Sequence, residues 1–316
     1  MSGTVNIMIL CNNEMAIPAM QQVYMSGSLK AVVIPEKNVS LFLLLKQMLT
    51  GTGISLVTVN KKTLEPVLKK TAAEKNITAA WIMTFSYIIP KSLLNLLPGG
   101  FINFHYGLLP QYRGVNPVLA QMLAGEKESG ITVHVVDENI DTGPVVMQQK
   151  IPIDDRDTFG MQLQKLGILG AAMVQPLLRL CQFSPVLPSV PQDESKARYF
   201  KRPVAADLMI NWNTMSSQQV IQLINACNPW NKGAGAMIGQ MGLCLTNAEP
   251  VTEMAEIEAL PGTIITLDVP NGLKIYCFDN KLVKINVIST TEGFFGGSSL
   301  LNYGINQGDR FLSPNY

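Results

Sequence analysis

The sequence predicts an α/β protein: a doubly wound, mostly parallel sheet followed by a small β-rich domain that forms an open barrel. Three observations support this prediction. Strand-like and helix-like segments alternate over roughly the first 180 residues, a segment rich in Pro, Ser and charge follows them, and much of the remaining chain alternates like strands with hairpin turns. Strands that alternate with helices of about 10–15 residues are typical of βαβ units.

The N-terminal half supplies the alternating elements in order. Apolar or alternating runs predict strands at residues 5–10, 29–35, 54–59, 77–85 and 99–105. Helical patterns occupy residues 15–27, 39–53, 64–76 and 116–125. Residues 130–153 predict two strands joined by a polar turn, and a long helix follows from about Thr158 to Cys181. Such a sheet binds its ligands at the carboxyl ends of the strands.

The second domain is expected after a change in composition. Residues 183–203, "FSPVLPSVPQDESKARYFKRP", indicate a linker. We therefore predict an N-terminal domain over residues 1–183, a linker over 184–202 and a C-terminal domain over 203–316. In the latter, residues 216–230 predict a helix, and residues 262–290 predict strands with hairpin turns at Asn271-Gly272 and Asp279-Asn280.

Composition excludes several classes of function. A net charge of +1 argues against a broadly basic surface for nucleic acid, although a local basic patch stays open. Five widely spaced cysteines without a CxxC motif indicate neither a disulfide framework nor a zinc site. The start has no basic segment typical of a secretory signal, and no uninterrupted apolar run reaches the roughly 18 residues that span a bilayer. We expect a cytoplasmic protein with no membrane partner and no metal.

Two polar clusters interrupt the predicted strands. Asn103 and His105 alternate along one strand, so their side chains share a face, whereas Phe104 points the other way into packing. The second cluster, Asp141-Thr142-Gly143, is a turn sequence. An amide and an imidazolium can donate hydrogen bonds to an oxyanion that develops on a carbonyl. A carboxylate near the histidine can keep it protonated, or accept a proton from the attacking amine. These groups suit acyl transfer to an amine, without a nucleophilic Ser or Cys.

These segments resemble the formyltransferases that use 10-formyltetrahydrofolate. The likeness lies in "FINFHYGLLPQYRG" (101–114) and "GITVHVVDENIDTGPVV" (130–146), and in the C-terminal segments "NPWNKGAGA", "PGTIITLD" and "INQGDRF", which are similar to the C-terminal domain of methionyl-tRNA and sugar-amine formyltransferases. The resemblance assigns the family's catalytic triad to Asn103, His105 and Asp141. It implies 10-formyltetrahydrofolate as the formyl donor and direct attack by the acceptor amine.

The resemblance also implies where folate binds. Main chain of residues 85–89 and 137–141 would bind the pterin, and the candidate residues are Phe85, Ser86, Tyr87, Ile88, Asp137, Glu138 and Ile140. Arg113 is a candidate for gripping an anionic group of the acceptor, with a structural salt bridge as the alternative. His134 alternates along a strand, which favours a packed or hydrogen-bonded residue over a catalytic one.

Two positions depart from the family. The family commonly has Ser where this chain has Gly107. Methionyl-tRNA formyltransferases usually carry a basic loop after the second strand, whereas residues 35–53 here are apolar and hold few cations. This disfavours tRNA and favours a small-molecule amine, such as an amino sugar nucleotide. Methionyl-tRNA formylation, hydrolysis of formyltetrahydrofolate and a non-catalytic folate-binding or interaction module remain alternatives, and a homodimer stays open.

Overall fold

The computed structural model describes residues 5–252 and 258–314, which divide into two compact units. The first unit comprises the chain up to Pro117 together with Glu128–Pro152 and Leu163–Phe200. The second comprises Val118–Lys127, Ile153–Gln162 and the chain from Lys201 onward. The expected domain bounds, at 183 and 203, stay a prediction, since the two units interleave along the chain.

The first unit is built on a seven-stranded sheet. Its strands, with the short β6 outside the sheet, are β1 (Ile7–Cys11), β2 (Leu29–Pro35), β3 (Ser55–Val59), β4 (Ala79–Met83), β5 (Phe101–His105), β6 (Arg113–Gly114), β7 (Glu128–Val135) and β8 (Val145–Pro152). The strand order is β3-β2-β1-β4-β5-β7-β8. The strands are parallel from β3 to β5, and β7 and β8 join as antiparallel strands. The predicted doubly wound, mostly parallel sheet is confirmed.

Helices follow the strands as the pattern predicts. Those in this part of the chain are α1 (Ile17–Met25), α2 (Val39–Leu49), α3 (Leu64–Glu74), α4 (Pro117–Leu123) and α5 (Phe159–Phe183). Every residue of β1 and of β4 is buried, which requires cover on both faces of the sheet. Their nearly continuous apolar runs are therefore those of central parallel strands.

One helix among the described residues, α5, is long and apolar enough to cross a membrane by length and composition. Core helices of soluble proteins share this property. Within the first unit, its residues Leu166, Met173 and Val174 are completely buried. The expected absence of a membrane partner stays a prediction.

The second unit contains α6 and an antiparallel sheet. Its elements are α6 (Ser217–Cys227), β10 (Ala234–Ile238), β11 (Met241–Pro250), β12 (Ile264–Asp268), β13 (Gly272–Tyr276), β14 (Leu282–Ser289), β15 (Phe294–Gly296) and β16 (Phe311–Leu312); the preceding β9 (Tyr199–Phe200) belongs to the first unit. The sheet order is β12-β13-β14-β11-β10-β16, with β15 paired to β14. This sheet confirms the predicted β-rich C-terminal part.

Residues 184–202, the expected linker, carry structure of their own. Val190 forms an isolated antiparallel bridge with Val145, and β9 pairs in parallel with β6. The backbone N–H of Arg113 donates to the carbonyl of Arg198, and that of Arg198 donates to the carbonyl of Pro110. Backbone hydrogen bonds thus connect most of this stretch to the rest of the first unit, beside the loop that follows β5.

Candidate active site

The end of β5 places two candidate residues on one face of the sheet. Asn103 and His105 are two positions apart, and the register of the antiparallel pair sets Asn103 opposite His134 of β7. Phe104 lies on the other face, 1% exposed, with its ring centroid 5.6 Å from that of Trp81. The structure therefore places Asn103, His105 and His134 together at the carboxyl end of β5.

Asp141 completes this group from the turn between β7 and β8. Its backbone has a left-handed φ of 58°, which turns the chain back toward β5. Oδ1 lies 3.4 Å from His105 Nδ1 and 3.8 Å from His134 Nε2, while Oδ2 accepts a hydrogen bond of 2.9 Å from the backbone N–H of Gly114. We refer to Asn103, His105, His134 and Asp141 as the polar cluster.

The ring of His105 has a defined orientation. Its Nε2 lies 2.6 Å from the carbonyl oxygen of Tyr112. A carbonyl oxygen only accepts, so Nε2 carries a hydrogen and donates it. The other ring nitrogen, Nδ1, faces Asp141. Only Nδ1 is therefore directed at the polar cluster.

His134 orients the amide of Asn103. The Nδ1 of His134 lies 3.0 Å from the carbonyl oxygen of Val135, so this nitrogen carries the hydrogen and donates it. The Nε2 of the neutral ring then accepts from Asn103 Nδ2 at 3.1 Å. The alternation of His134 along a strand predicts a packed or hydrogen-bonded residue. Its bond to Asn103 depends on the pairing of β5 with β7, which sets His134 opposite Asn103.

The charge state of Asp141 follows from its surroundings. Burial alone would raise the pKa of this carboxyl, but the positive charge of His105 and the hydrogen bonds from His105 and from the backbone of Gly114 outweigh it. The net effect holds the pKa of Asp141 far below its usual range. Asp141 is therefore a carboxylate at neutral pH that supports a cationic His105 and accepts protons only weakly.

Gly107 gives His105 its space. A Cβ at this position would lie 2.9 Å from His105 Nε2 and 2.7 Å from the Cβ of Pro117, both shorter than an ordinary van der Waals contact. The departure from the family's Ser thus has a steric reason in this chain. A side chain at position 107 would displace the imidazole or the proline.

Arg113 is not positioned to grip a ligand. Its side chain is completely buried, and its guanidinium donates to Glu194 at 2.6 and 2.8 Å, to Gln192 at 2.8 and 3.3 Å and to Tyr199 at 3.0 Å. The Glu194 carboxylate raises the pKa of Arg113 above its usual value. All five N–H groups are used within the chain, so this geometry supports the structural salt bridge and gives no support to the acceptor-binding role.

The two candidate folate segments lie in neighbouring loops of the first unit. Residues 85–88 follow β4, and residues 137–140 precede Asp141. The Phe85 and Tyr87 rings meet edge to face at 5.5 Å, and Lys91, three residues after the first loop, forms an ion pair of 2.7 Å with Glu138 of the second.

The members of these loops differ in exposure and in partners. Ile88 and Ile140 are 70% and 50% exposed, which leaves apolar surface at the edges of both loops. Asp137 instead accepts from Thr142 Oγ1 at 2.6 and 2.8 Å, and Ser86 accepts from Asn12 Nδ2. The apolar members suit ligand walls, whereas Asp137 holds its own turn. Over the described ranges, no group of three or more His, Cys, Asp or Glu side chains could hold a metal ion.

Comparisons with known proteins give the family to which this sequence is similar. A family model described as "Formyl transferase" matches residues 19–173, and one described as "Formyl transferase, C-terminal domain" matches residues 204–293. A methionyl-tRNA formyltransferase of Nitrosospira multiformis is 30% identical over 233 residues, 73% of each chain. That of Aromatoleum aromaticum is 32% identical over 232 residues, 73% of this chain and 71% of that one.

Solved structures share the fold at lower sequence identity. An N-formyltransferase of Helicobacter canadensis, in complex with folinic acid and dTDP-3-aminofucose, matches 89% of this chain and 98% of its own with a TM-score of 0.65 and 17% identity. HypX of Aquifex aeolicus, in complex with tetrahydrofolic acid, matches 99% of this chain and 51% of its own with a TM-score of 0.63 and 16% identity. At these identities the likeness speaks for the fold alone.

Proposed function

Because this chain belongs to the formyltransferase family, we propose that it transfers the formyl group of 10-formyltetrahydrofolate to the primary amine of a small molecule. The observation that carries the proposal is the polar cluster. It combines a carboxylate at 3.4 Å from His105 Nδ1 with an oriented amide at the carboxyl end of β5. The folate-binding roles of the loops at 85–88 and 137–140 are proposed with it.

In the proposed reaction, the acceptor amine attacks the formyl carbon and a C–N bond forms. The negative charge that develops on the formyl oxygen is stabilised by the second N–H of Asn103, whose other N–H donates to His134 Nε2, and by the positive charge of His105. Asp141 keeps His105 positively charged, and the proton that the attacking nitrogen loses passes to a water. The bond from the formyl carbon to N10 then breaks, and N10 takes up a proton to leave tetrahydrofolate.

The turn after β2 supports a small acceptor. β2 ends at Pro35 and α2 begins at Val39, so only Glu36, Lys37 and Asn38 lie between them. Asn38 caps α2 by accepting from Leu41 N at 3.2 Å and donates to the carbonyl of Asn12 at 2.8 Å. This turn is short, is held by hydrogen bonds and contains one lysine. Methionyl-tRNA formyltransferases usually have a basic loop at this point of the chain, which contacts the acceptor stem of the tRNA.

Methionyl-tRNA is the second candidate acceptor. It is favoured by the relatives at 30–32% identity, which are named for that activity and match nearly three quarters of this chain. Both candidates use the same donor and the same polar cluster, so they differ only in what binds beside it.

One experiment separates the candidates. The chain is incubated with 10-formyltetrahydrofolate and, in parallel, with methionyl initiator tRNA, dTDP-linked amino sugars and free amino acids, and products are followed by mass. We expect a formylated small amine with one tetrahydrofolate released per product, and no product from Asp141→Asn. Formylated tRNA would select the second candidate, and formate release without an amine would indicate a hydrolase. No turnover of the donor in any reaction would indicate a binding module.

A further inference from the structure

Gln192 connects the turn that bears Asp141 to the buried Arg113. Its Nε2 donates to the carbonyl oxygens of Asp141 and Gly143, both at 2.8 Å. Its Oε1 accepts from Arg113 Nε at 3.3 Å and from Nη2 at 2.8 Å. Because a guanidinium only donates and a carbonyl only accepts, the carboxamide has one satisfactory orientation here. Both of its ends are fully used.

The anchor for Gln192 is rigid. Arg113 is completely buried and is held in turn by Glu194 and by the hydroxyl of Tyr199. Its ring partner is the same Tyr199, whose centroid lies 5.4 Å from the guanidinium carbon. The residues that fix Gln192 therefore belong to the same stretch of chain, residues 192–200, together with β6.

The far end of this stretch touches the other half of the polar cluster. The Phe200 ring stacks on Tyr112 at 4.9 Å with 11° between their planes, and the carbonyl of Tyr112 accepts the hydrogen of His105 Nε2. Gly114, whose N–H holds Asp141 Oδ2, approaches Phe200 so closely that a Cβ would lie 2.3 Å from the Phe200 oxygen. Residues 192–200 thus contact the supports of both His105 and Asp141.

We infer that residues 192–200 position the reacting side chains, and that Gln192 is a positioning residue for Asp141. Asp141 has a left-handed backbone, a conformation that costs free energy in an L-residue. The two hydrogen bonds from Gln192 hold the carbonyls on either side of Thr142 and so fix the direction from which the carboxylate reaches His105. The effect on turnover rests on the proposed function, whereas the geometry of His105 does not.

Two substitutions at Gln192 test the inference. Gln192→Met keeps the length of the side chain and removes both donors and the acceptor. Gln192→Glu keeps the acceptor for Arg113 and sets an anionic oxygen against two carbonyls. A misplacement of about 1 Å in a reacting group costs about 100-fold in rate, so we expect kcat to fall about 10- to 100-fold, and further in Gln192→Glu. The KM for 10-formyltetrahydrofolate should change less than kcat, because the side chain of Gln192 bonds Asp141, Gly143 and Arg113, at one edge of the candidate folate segment 137–141.

The matched control is Gln182→Met, at an exposed glutamine of the same unit. It carries the same chemical change away from the polar cluster and should keep the kcat of the parent chain. All variants are compared with the amine that the panel formylates best, with thermal melts to confirm folding. Should Gln192→Met fail to fold, Glu194→Gln takes its place. The Glu194 side chain is 66% exposed, and its substitution removes the negative charge that holds Arg113.

A second measurement needs no substrate. The chain has two histidines, His105 and His134, so long-range ¹H–¹⁵N spectra of the labelled full-length protein show two imidazole rings, which His134→Gln assigns. We expect Gln192→Met and Gln192→Glu to move the His105 signals and Gln182→Met to leave them. The expected change in the His105 signals does not depend on activity. A failure to formylate any amine would contradict the proposed function and leave this inference standing. Unchanged His105 signals, or an unchanged kcat in an active enzyme, overturn the inference.

Discussion

A side chain at position 107 should damage the site from within, and the structure gives the size of the effect. A Cβ there would lie 2.9 Å from His105 Nε2 and 2.7 Å from Pro117 Cβ, whereas ordinary contact begins at about 3.4 Å. The imidazole or the proline must therefore move by about half an ångström or more. Movement of the ring lengthens its 2.6 Å hydrogen bond to the carbonyl of Tyr112 and changes the distance from Nδ1 to Asp141.

We expect Gly107→Ser to lower the free energy of unfolding by about 1–3 kcal/mol, as overpacking of a filled site does. The shift of the ring should lower kcat about 10-fold, given the steep dependence of rate on the position of reacting groups. Gly107→Ala should behave alike, because the cause is the volume of Cβ and not the hydroxyl. The assay is steady-state formyl transfer together with a thermal melt of each variant.

The control for this prediction is Gly296→Ala, where no atom lies within 4 Å of an added Cβ and φ is negative. It should keep both kcat and melting temperature. Wild-type values in Gly107→Ser would refute the reasoning, since they would show that the site has room for a side chain beside His105. A gain in rate would refute it more strongly, because it would make Gly107 a defect relative to the family's Ser.

The remaining predictions concern the polar cluster itself. Asp141→Asn and His105→Ala should each abolish formyl transfer and leave the folded far-ultraviolet spectrum unchanged; near-normal turnover in either would contradict the triad assignment. His134→Phe should lower kcat about 10-fold by removing the acceptor for Asn103, and His134→Gln, which can still accept, should recover part of that loss in the same assay. Because the pKa of Asp141 is lowered on folding, its stabilising contribution is complete above the unfolded value of about 3.9 and fades as the pH falls below it. The melting temperature of the parent chain should therefore drop more between pH 5 and pH 3, an interval that contains the unfolded pKa of about 3.9, than that of Asp141→Asn. Equal drops would show that the carboxylate is not stabilised by its partners.

What the sequence could predict was local. Asn103 and His105 are two positions apart on a strand, so their shared face follows from the geometry of any strand, and the apolar runs of β1 and β4 indicate their central places. Asp141 could be joined to them only through the resemblance, because nothing in the spacing of 36 residues from His105 fixes the turn.

What the sequence could not predict depends on contacts between distant segments. Arg113 meets Gln192 and Glu194 about 80 positions later, and Gln192 meets Asp141 across 51 positions. Composition predicts a linker at residues 184–202 because Pro, Ser and charged residues are also typical of exposed connecting segments. Residues 234–238 form β10, although only the last residue of "AGAMI" is of the β-branched type by which strands are usually recognised.

The anchoring of His105 also restricts the path of the proton in the proposed reaction. A histidine relays a proton by accepting at one nitrogen and releasing at the other. Here Nε2 already donates to the carbonyl of Tyr112, which has no proton-accepting role at neutral pH. A proton that entered at Nδ1 would therefore have no acceptor beyond Nε2. His105 is thus better suited to keep its positive charge beside the developing oxyanion, with the Asp141 carboxylate, 3.4 Å from Nδ1, as its counter-ion.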